Sequence, residues 1–378
     1  MSDKKHRVKI VSMYLPQFHV IPENSEWWGE GFTEWVNTKK AVSYFPGHIQ
    51  PKTPLHENYY DLSKVETIRE QVKWANEYHV DAFAFYHYWF KDGKRVLEKP
   101  AELLLANKDI NIEMCFSWAN ENWTKTWHGA KGEKEILMEE EYGGVEEWRE
   151  HYRYLRDFFM DERYLKKNNM PVFLILNIRD ILKRAPKMLE RWNDWAKKDG
   201  FAGIYFVAMN ARRTKEERTI ILSNKNIKAS VDFVPGRIRD EIRNANDWKR
   251  IMKRYINRLL PNVNFWNKTM IESIDYDDFS RKLIARPHAK DEWRNCMVNY
   301  DDTPRRGKKG IVTMGSTPKS FYRYFKRMLQ KTVDEEKDYM FVTAWNEWGE
   351  GNHLEPDEIY SFQWLKAVKK AVEEVCDE

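Results

Sequence analysis

The amino-acid sequence predicts an α/β fold, a single (β/α)8 TIM barrel with extended βα loops that takes up residues 1–378. Eight short apolar runs alternate along the chain with amphipathic segments. No Pro/Gly/Ser-rich linker and no internal repeat divides the chain, which is long enough for eight such units. Eight β-then-α units in one undivided chain favour a closed barrel over an open doubly wound sheet.

The predicted strands are runs rich in apolar, β-branched and aromatic residues. They are bounded by segments whose pattern is helical or irregular. In chain order the strands cover residues 8–15, 82–89, 112–118, 171–177, 203–208, 229–235, 295–300 and 339–345.

The amphipathic segments between these runs supply the predicted helices. Residues 63–78 open with the capping box Ser63-Lys64-Val65-Glu66 and continue with apolar residues at a helical spacing. Residues 262–294, a long mixed stretch before the seventh strand, are the candidate for a loop insertion that helps to wall the site. The remaining helices are predicted at 97–107, 146–159, 185–198, 214–223, 247–259, 318–329 and 359–375.

The balance of charged and apolar residues indicates a soluble globular protein. Charged residues make up 33% of the chain and the mean hydropathy is −0.79, which excludes a membrane-embedded body. The 64 Lys+Arg and 59 Asp+Glu leave a net charge of +5, and the two signs are interspersed, so we expect no nucleic-acid partner. Residues 1–7 are charged and precede a short apolar run that ends at Pro16 without a cleavage site. We therefore expect no secretory signal, no membrane span and a cytoplasmic location.

Aromatic residues are numerous, with 17 Trp, 19 Tyr and 19 Phe, and they gather in particular segments. Aromatic rings stack on the C–H faces of sugars while neighbouring polar side chains bond the hydroxyls, so these mixed clusters predict an oligosaccharide or polysaccharide substrate. Trp27, Trp28 and Trp123, on polar loops, are favoured as platforms for sugar rings. Trp89 and Trp118 are more typical of core residues.

Five of the eight predicted strand ends carry such clusters, whereas the strand beginnings are ordinary. In a barrel of this kind the catalytic groups come from the C-terminal strand ends and the loops after them. The clusters occupy residues 14–19 with 27–35, 86–89, 118–123, 300–306 and 345–355. From them we predict the substrate-binding residues Tyr14, His19, Trp27, Trp28, Glu34, Trp35, Tyr86, Tyr88, Trp89, Trp118, Asn120, Glu121, Asn122, Trp123, Asp301, Arg305, Asn346, Trp348 and Glu355.

Glu347 and Glu350 are the predicted catalytic residues. Glycosyl transfer needs a proton donor for the departing oxygen and a second group that acts as base or nucleophile, so two nearby carboxylates are the minimum. Glycine on both sides of Glu350 lets the backbone turn sharply and bring both acids to one cavity. Trp345 and Trp348 are expected to keep them partly dry, which raises the pKa of a carboxylic acid. The alternative interpretation is a pair of exposed loop acids.

The other acidic candidates have a structural interpretation beside the functional one. Glu34 and Glu121 either bind sugar hydroxyls or fix the loops that carry them. Glu355 either binds substrate or braces the last helix. Asp301 and Arg305 either bind substrate or pair with each other.

No pattern in the sequence is typical of a metal or cofactor site. The histidines at strand ends, His19, His87 and His353, show neither HxH nor HExxH spacing, so we expect no metal and no cofactor. The three cysteines form no CxxC motif, which is typical of reduced structural thiols. Asp275-Tyr276-Asp277 resembles the DxD motif of sugar-nucleotide transferases but precedes no evident nucleotide fold.

At these residues the sequence resembles the WbsX-type proteins, a family often labelled glycosyltransferases of bacterial polysaccharide gene clusters and related to the endo-α-mannosidases of glycoside hydrolase family 99. The resemblance implies a (β/α)8 barrel. It also implies catalytic roles for Glu347 and Glu350, which match the endo-α-mannosidase motif Asn-Glu-Trp-x-Glu. The matching stretches run from end to end of the chain, at residues 14–19, 21–24, 27–35, 47–51, 59–62, 118–123, 303–305 and 345–356.

By this resemblance the two acids have different tasks. In the endo-α-mannosidases the first acid is thought to deprotonate the sugar's own 2-hydroxyl, which attacks C1 to give a 1,2-anhydro intermediate. The second protonates the leaving oxygen and later activates water. The resemblance therefore implies Glu347 as base, Glu350 as acid/base, and retention of configuration. Departures from the family pattern leave this pair intact and fall at Lys125, His128, Met170, Tyr300 and Asp302.

Three functions agree with these observations, and we rank them in order. The first is a retaining glycosidase that acts on an α-linked, mannose-like glycan or polysaccharide. The second is a glycosyltransferase of O-antigen-like surface-polysaccharide biosynthesis, although the sequence has no Gly-rich phosphate loop for a nucleotide donor. The third is a non-catalytic glycan-binding protein, which suits the aromatic loops but leaves the carboxylate pair without a purpose.

Overall fold

The computed structural model describes residues 8–124, 135–209, 223–238 and 271–376, together with Thr219, Ile221 and Tyr255. The helices predicted at 214–223 and 247–259 lie almost entirely outside the described residues, as does the first part of the 262–294 stretch. Lys125 and His128 also lie outside them.

Eight parallel strands close into a barrel, which confirms the predicted fold class. Around the barrel the order is β3-β2-β1-β8-β7-β6-β5-β4, and pairing between β3 and β4 closes the ring. Seven strands start within two residues of the apolar runs that predict them; the seventh starts earlier than predicted. The strands are β1 (Lys9–Tyr14), β2 (Ala82–His87), β3 (Glu113–Trp118), β4 (Met170–Ile175), β5 (Tyr205–Met209), β6 (Ile227–Val231), β7 (Glu292–Met297) and β8 (Tyr339–Thr343).

Burial explains why these strands show continuous apolar runs. A parallel barrel strand is covered by side chains on its inner face and by helices on its outer face, so both faces favour apolar residues. Every residue of β5, β7 and β8 is buried. Val11 of β1 pairs with Ala82 of β2 on one side and with Phe341 of β8 on the other. This parallel register brings the C-terminal strand ends to one face of the barrel.

The helices follow the predicted amphipathic segments where these are described. The long helix after β1 buries Ile68, Val72 and Ala75, the face that the sequence pattern predicts. Asp275 caps another helix, since its side chain accepts from the Asp278 amide at 2.7 Å, so the acidic triplet at 275–277 begins a helix. The helices are α1 (Pro22–Trp28), α2 (Glu34–Lys40), α3 (Val65–Glu77), α4 (Lys99–Ala106), α5 (Val145–Phe159), α6 (Ile178–Arg184), α7 (Met188–Lys198), α8 (Tyr276–Ala285), α9 (Thr303–Arg306), α10 (Pro318–Asp334) and α11 (Gln363–Cys376).

Short elements outside the barrel shape the loops. Single 3-10 turns lie at Leu55–Glu57, Lys91–Gly93, Gly307–Lys309 and Trp348–Glu350. The paired short strands are Trp123–Thr124 with Ile136–Met138, Glu272–Asp275 with Ile311–Met314, Asn346–Glu347 with Asn352–His353, and Lys166–Lys167 with the start of β4. Cys115, Cys296 and Cys376 are all free thiols. In the described part of the chain no helix combines the length and the apolar character that crossing a bilayer requires.

Candidate active site

The C-terminal end of the barrel holds a cavity of about 610 Å³, which we call the central cavity. Seven strand ends, or the loops that follow them, contribute to the walls. The lining residues are Leu15, Gln17, Glu34, Tyr86, Tyr88, Ala119, Leu176, Phe233, Pro235, Arg305, Thr343, Glu347 and Glu350.

The strand-eight loop, residues 344–355, carries both predicted catalytic acids to the central cavity. It is a tight hairpin that contains one turn of 3-10 helix. Gly351 follows this turn in the left-handed region, with φ of 57°. Gly349 has no room for a side chain, because a Cβ there would lie 2.2 Å from Oε2 of Glu34. The two glycines thus allow a turn that points both acids into one cavity.

The base of this loop is tied to β1. The Asn346 side chain accepts a hydrogen bond from the Leu15 amide at 2.7 Å and donates one to the Leu15 carbonyl at 2.9 Å. The backbone amide of Trp345 donates to the Met13 carbonyl at 2.8 Å. Asn346, a predicted substrate-binding residue, is therefore fully buried and holds the loop in place.

One guanidinium joins three carboxylates in the wall of the central cavity. Arg305 lies in α9, after β7. Its Nε donates to Glu34 at 3.1 Å, its Nη1 to Glu350 at 2.9 Å and its Nη2 to Glu347 at 3.2 Å. Only 13% of the Arg305 side chain is exposed, and the Glu34 side chain is fully buried. The structure thus brings the predicted catalytic pair together with two predicted substrate-binding residues.

Burial, and next to it the excess of carboxylates over cations, govern the protonation of this cluster. Burial raises the pKa of Glu347 to about 8; Arg305 opposes the shift, while the carboxylates of Glu350 and Glu34 add to it. Burial disfavours the charged form of Arg305, but the three carboxylates outweigh this and hold its pKa well above the usual range. The cluster therefore has a permanent cation and a carboxyl group that exchanges its proton near neutral pH, as acid–base catalysis requires.

Tyr86 and Tyr88 face this cluster from the end of β2. Burial raises the pKa of both phenols, and the negative charge of Glu347 adds to the shift. The Tyr88 hydroxyl accepts a hydrogen bond from the side-chain amide of Gln17 at 3.3 Å. Both phenols stay neutral, so their hydroxyl protons are available for hydrogen bonds to a ligand.

Glu355, at the far end of the strand-eight loop, is buried away from the central cavity. Its two oxygens accept four hydrogen bonds, from Gln71 at 2.6 Å, Trp345 at 3.0 Å, Trp348 at 2.6 Å and Tyr60 at 2.8 Å. Burial raises the pKa of Glu355 to about 7, and these hydrogen bonds limit the shift. The carboxylate thereby fixes both tryptophans of the loop.

Aromatic rings form a layer behind the carboxylate cluster. Trp348 stacks on His353 with ring centroids 3.7 Å apart, and Trp35 lies 5.5 Å from Trp348. The Trp35 indole donates to the Tyr60 carbonyl at 2.8 Å. The tryptophans are buried, so this layer keeps water from the back of the cluster.

Some predicted substrate-binding residues lie in the core, outside the cavity lining. Trp89 stacks on His151 at 4.1 Å, and Trp118 meets the same imidazole edge-on at 4.7 Å. Tyr14 is fully buried and its hydroxyl donates to a glutamine side chain at 2.6 Å. His19 is also buried, and burial lowers its pKa. Their part in sugar binding stays a prediction.

Further predicted residues lie on the loops around the cavity. The Trp27 and Trp123 rings meet edge-to-face with centroids 6.1 Å apart. The Trp123 ring also lies 5.1 Å from the ring of Tyr88, a residue of the cavity lining. Trp28 is half-buried beside Phe32, with centroids 6.1 Å apart. The polar candidates nearby are Asn120, which is buried and bonded to the Tyr142 hydroxyl, and the exposed Glu121 and Asn122.

Sequence reasoning missed several residues that line the central cavity. Gln17 lies within a cluster that it singled out, but Leu176, Phe233 and Pro235 follow β4 and β6, whose ends show no polar cluster. The signal that could have found them is their position at the C-terminal end of a predicted strand. Apolar residues there cannot be told from core residues by their type alone.

One group of potential metal ligands occurs among the described residues, away from the central cavity lining. Asp232, His288 and Glu292 have ligand atoms within 4.8 Å of one another. Arg286 contacts both carboxylates, and Arg237 donates to Asp232 at 3.0 Å. These two cations already neutralise the carboxylates, so the group is an ion-pair network; the absence of a metal cofactor stays a prediction.

The sequence comparison identifies relatives over the whole chain. The family model described as glycosyltransferase WbsX matches residues 10–368. An uncharacterized protein WxcX of Xanthomonas campestris pv. campestris is 30% identical over 373 residues, which is 97% of this chain and 50% of that protein. Its counterpart in a second strain of the same organism matches equally. The chain thus spans about half the length of the curated relatives that it matches.

Solved structures share the fold at low sequence identity. The GH99 endo-α-mannosidase from Bacteroides thetaiotaomicron, in complex with bis-tris propane, has a TM-score of 0.56 at 13% identity, covering 97% of both chains. The same enzyme in a second structure has a TM-score of 0.55 at 14% identity and equal coverage. A glycoside hydrolase-like protein matches with a TM-score of 0.55 at 12% identity, covering 98% of this chain and 96% of its own.

Proposed function

The chain belongs to the WbsX glycosyltransferase family, and on this basis we propose that it is a carbohydrate-active enzyme, a retaining glycoside hydrolase. Its substrate is an α-linked, mannose-like glycan or polysaccharide that binds in the central cavity. The observation that carries the proposal is the placement of Glu347 and Glu350 on the two terminal nitrogens of Arg305, where both acids line the central cavity.

In the first step Glu347 takes the proton of the sugar's 2-hydroxyl. The 2-oxygen attacks C1, the bond from C1 to the leaving oxygen breaks, and Glu350 gives its proton to that oxygen. Burial raises the pKa of Glu347 to about 8, so this residue can exchange a proton with a bound sugar near neutral pH.

In the second step Glu350 takes a proton from water as the water oxygen attacks C1 and opens the three-membered ring. Glu347 returns its proton to the 2-oxygen, so both acids regain their starting states. Two inversions at C1 retain the configuration. Arg305 holds both carboxylates in orientation throughout.

The aromatic and phenolic lining supports a sugar ligand. Tyr86 and Tyr88 supply neutral hydroxyls next to the acids, and Leu15, Leu176 and Phe233 supply apolar surface for a ring's C–H face. The shared fold with GH99 endo-α-mannosidases is compatible with this substrate class.

Incubation of the purified protein with defined α-linked manno-oligosaccharides tests the proposal. Mass spectrometry is expected to detect shorter products, and NMR taken early in the reaction to detect the α-anomer first. Glu350→Gln should abolish cleavage, while Glu139→Gln, at an exposed glutamate on another loop, should leave it unchanged. A fully active Glu350→Gln variant, or a β-anomer as first product, would contradict the mechanism.

A glycosyltransferase of surface-polysaccharide assembly is the second candidate, which the description of the matching family favours. Transfer would use the same carboxylate pair with a sugar acceptor in place of water. It would require an activated donor, so calorimetry with sugar nucleotides, followed by a transfer assay, distinguishes it. Donor binding with net transfer and no hydrolysis would replace the hydrolase proposal.

A further inference from the structure

A second cavity, of about 650 Å³, lies on the other side of the strand-eight loop from the central cavity. We call it the outer cavity; its lining residues are Gly47, His48, Ile49, Lys52, Thr53, Asn299, Asp301, Val312, Thr313, Met314, Gly315, Ser316, Asp357, Ile359, Tyr360 and Trp364. A Cβ added to Gly351 would lie 3.0 Å from the Lys52 ammonium and 3.1 Å from Asp301, both of which line this cavity. Glu347 and Glu350 line the central cavity, so the loop separates the two.

The outer cavity and the catalytic acids share one piece of backbone. The amide of Asp301 donates to the Glu350 carbonyl at 2.6 Å, and the Lys52 ammonium donates to the Gly351 carbonyl at 2.8 Å. A ligand in the outer cavity would therefore lie directly behind the turn that carries Glu350.

The charges of the outer cavity are paired with one another, which argues against an anion site. The carboxylate of Asp301 accepts from His48 at 2.8 Å and from Gln50 at 2.7 Å. Asp357 accepts from the indole of Trp364 at 3.0 Å and from backbone amides. The single ammonium of Lys52 lies among these carboxylates, so no surplus of positive charge is left for a phosphate or carboxylate ligand.

Exposed apolar side chains gather at the outer cavity. Ile49, Met314 and Ile359 are 40%, 39% and 49% exposed, and they are three of the nine large hydrophobic residues that are exposed in the described part of the chain. Beside them lie the hydroxyl of Tyr360 and the amide nitrogen of Asn299, for which the described residues offer no hydrogen-bond partner. Apolar patches next to polar groups with open hydrogen-bonding capacity suit a polyol ring.

We propose that the outer cavity is a second carbohydrate-binding site that takes a neutral sugar residue. The C–H face of the sugar packs on Met314 and Ile359, and its hydroxyls bond to Tyr360 and Asn299. Binding here is separate from turnover in the central cavity, so the proposal holds or fails independently of the hydrolase mechanism.

Saturation-transfer NMR on the full chain tests this site with methyl α-D-mannopyranoside, methyl α-D-glucopyranoside and methyl α-L-rhamnopyranoside as probes. Ala119→Trp fills the central cavity, so the transfer that remains in this variant reports on the outer cavity. Adding Met314→Trp should weaken the remaining binding at least about tenfold by filling the outer cavity. Met160→Trp is the matched control, because Met160 is 43% exposed at the end of α5.

Tyr360→Phe is a second test that adds no volume and should weaken the same binding by removing one hydroxyl. If Ala119→Trp fails to fold by circular dichroism, the effects of Met314→Trp and Tyr360→Phe on the wild-type signal decide the matter. The proposal is overturned if no probe sugar binds, if Ala119→Trp removes all binding, or if Met314→Trp has no more effect than Met160→Trp. Displacement of the sugars by inorganic phosphate at low millimolar concentration would overturn the assignment to a neutral ligand.

Discussion

The two ends of the strand-eight loop hold buried glutamates in opposite ways. Glu347 shares one guanidinium with two other carboxylates and faces the central cavity. Glu355 accepts four hydrogen bonds from uncharged donors and lines neither the central nor the outer cavity. Burial raises the pKa of both, to about 8 and about 7. A raised pKa alone thus does not mark a buried carboxylic acid as catalytic.

What distinguishes them is the chemistry left open to each carboxylate. Both oxygens of Glu355 already accept hydrogen bonds from other side chains of the protein. The carboxylate therefore holds the indoles of Trp345 and Trp348 in place. Glu347 lies in a cluster with surplus negative charge and an open cavity beside it. Its proton can therefore move to or from a bound molecule.

The largest expected effect comes from the cavity end of the loop. Under the proposed mechanism Glu347→Gln should lower turnover by about 10²–10⁴-fold, because the amide cannot accept the 2-hydroxyl proton. The midpoint of thermal unfolding should stay unchanged or rise, since one of three mutually repelling carboxylates is removed. Activity measured beside a thermal melt checks both, and a variant that keeps most of its turnover would remove Glu347 from the mechanism.

At the other end, Glu355→Ala should destabilise the fold with a smaller direct effect on chemistry. Four buried donors lose their acceptor, so we expect the free energy of unfolding to fall by roughly 2–4 kcal/mol. Urea denaturation measures the loss. Glu373→Ala, at a half-exposed position on α11, is the control; equal stability of the two variants would show that the four hydrogen bonds contribute little.

The pH dependence of stability separates the two glutamates. An acid whose pKa is raised by folding binds more protons when folded, so its contribution to stability falls as the pH rises from the unfolded value toward the folded one. For Glu355 this window ends at about 7 and for Glu347 at about 8. Glu347→Gln should therefore gain stability relative to the wild type as the pH rises from 5 to about 8. Denaturation curves at each pH test this, and a constant difference would refute the assigned shift.

The smallest effect is expected at the turn between the two ends. Gly351 has a φ of 57°, so Gly351→Ala should cost about 1 kcal/mol of stability, whereas Gly351→Asn should cost less because asparagine tolerates this conformation. Chemical denaturation measures the difference. If the alanine and asparagine variants lose the same stability, the cause is contact between the new Cβ and the Lys52 ammonium, 3.0 Å apart, and not backbone strain.

Much of the fold could be predicted because its signals are local. The apolar runs mark the barrel strands, and the helical spacing at Ile68, Val72 and Ala75 marks the buried face of α3. The seventh strand was harder to place, because β7 begins with Glu292 and includes Arg294, two buried charged residues that interrupt an apolar pattern. The ion pairs that permit their burial come from Arg286 and Glu335, which are not adjacent to their partners in the sequence.

The candidate site, like the fold, could be predicted from the sequence only in part. The motif at 346–350 marks Glu347 and Glu350, and the spacing of two glycines around Glu350 indicates a tight turn. The sequence left open whether Arg305 pairs with Asp301. In the structure it binds Glu34, Glu347 and Glu350, while Asp301 binds His48 and Gln50.

The sequence by itself determined the eight barrel strands, the polar and aromatic clusters at the strand ends and the acidic pair on the last loop. Periodicity and composition encode these features because each depends on neighbours within a few residues. Only the tertiary structure decided that Glu34 meets Arg305 from 271 positions away, and that Glu355 accepts four buried hydrogen bonds. Barrel closure brings such residues together, and no local pattern records which distant strand ends will share a cavity.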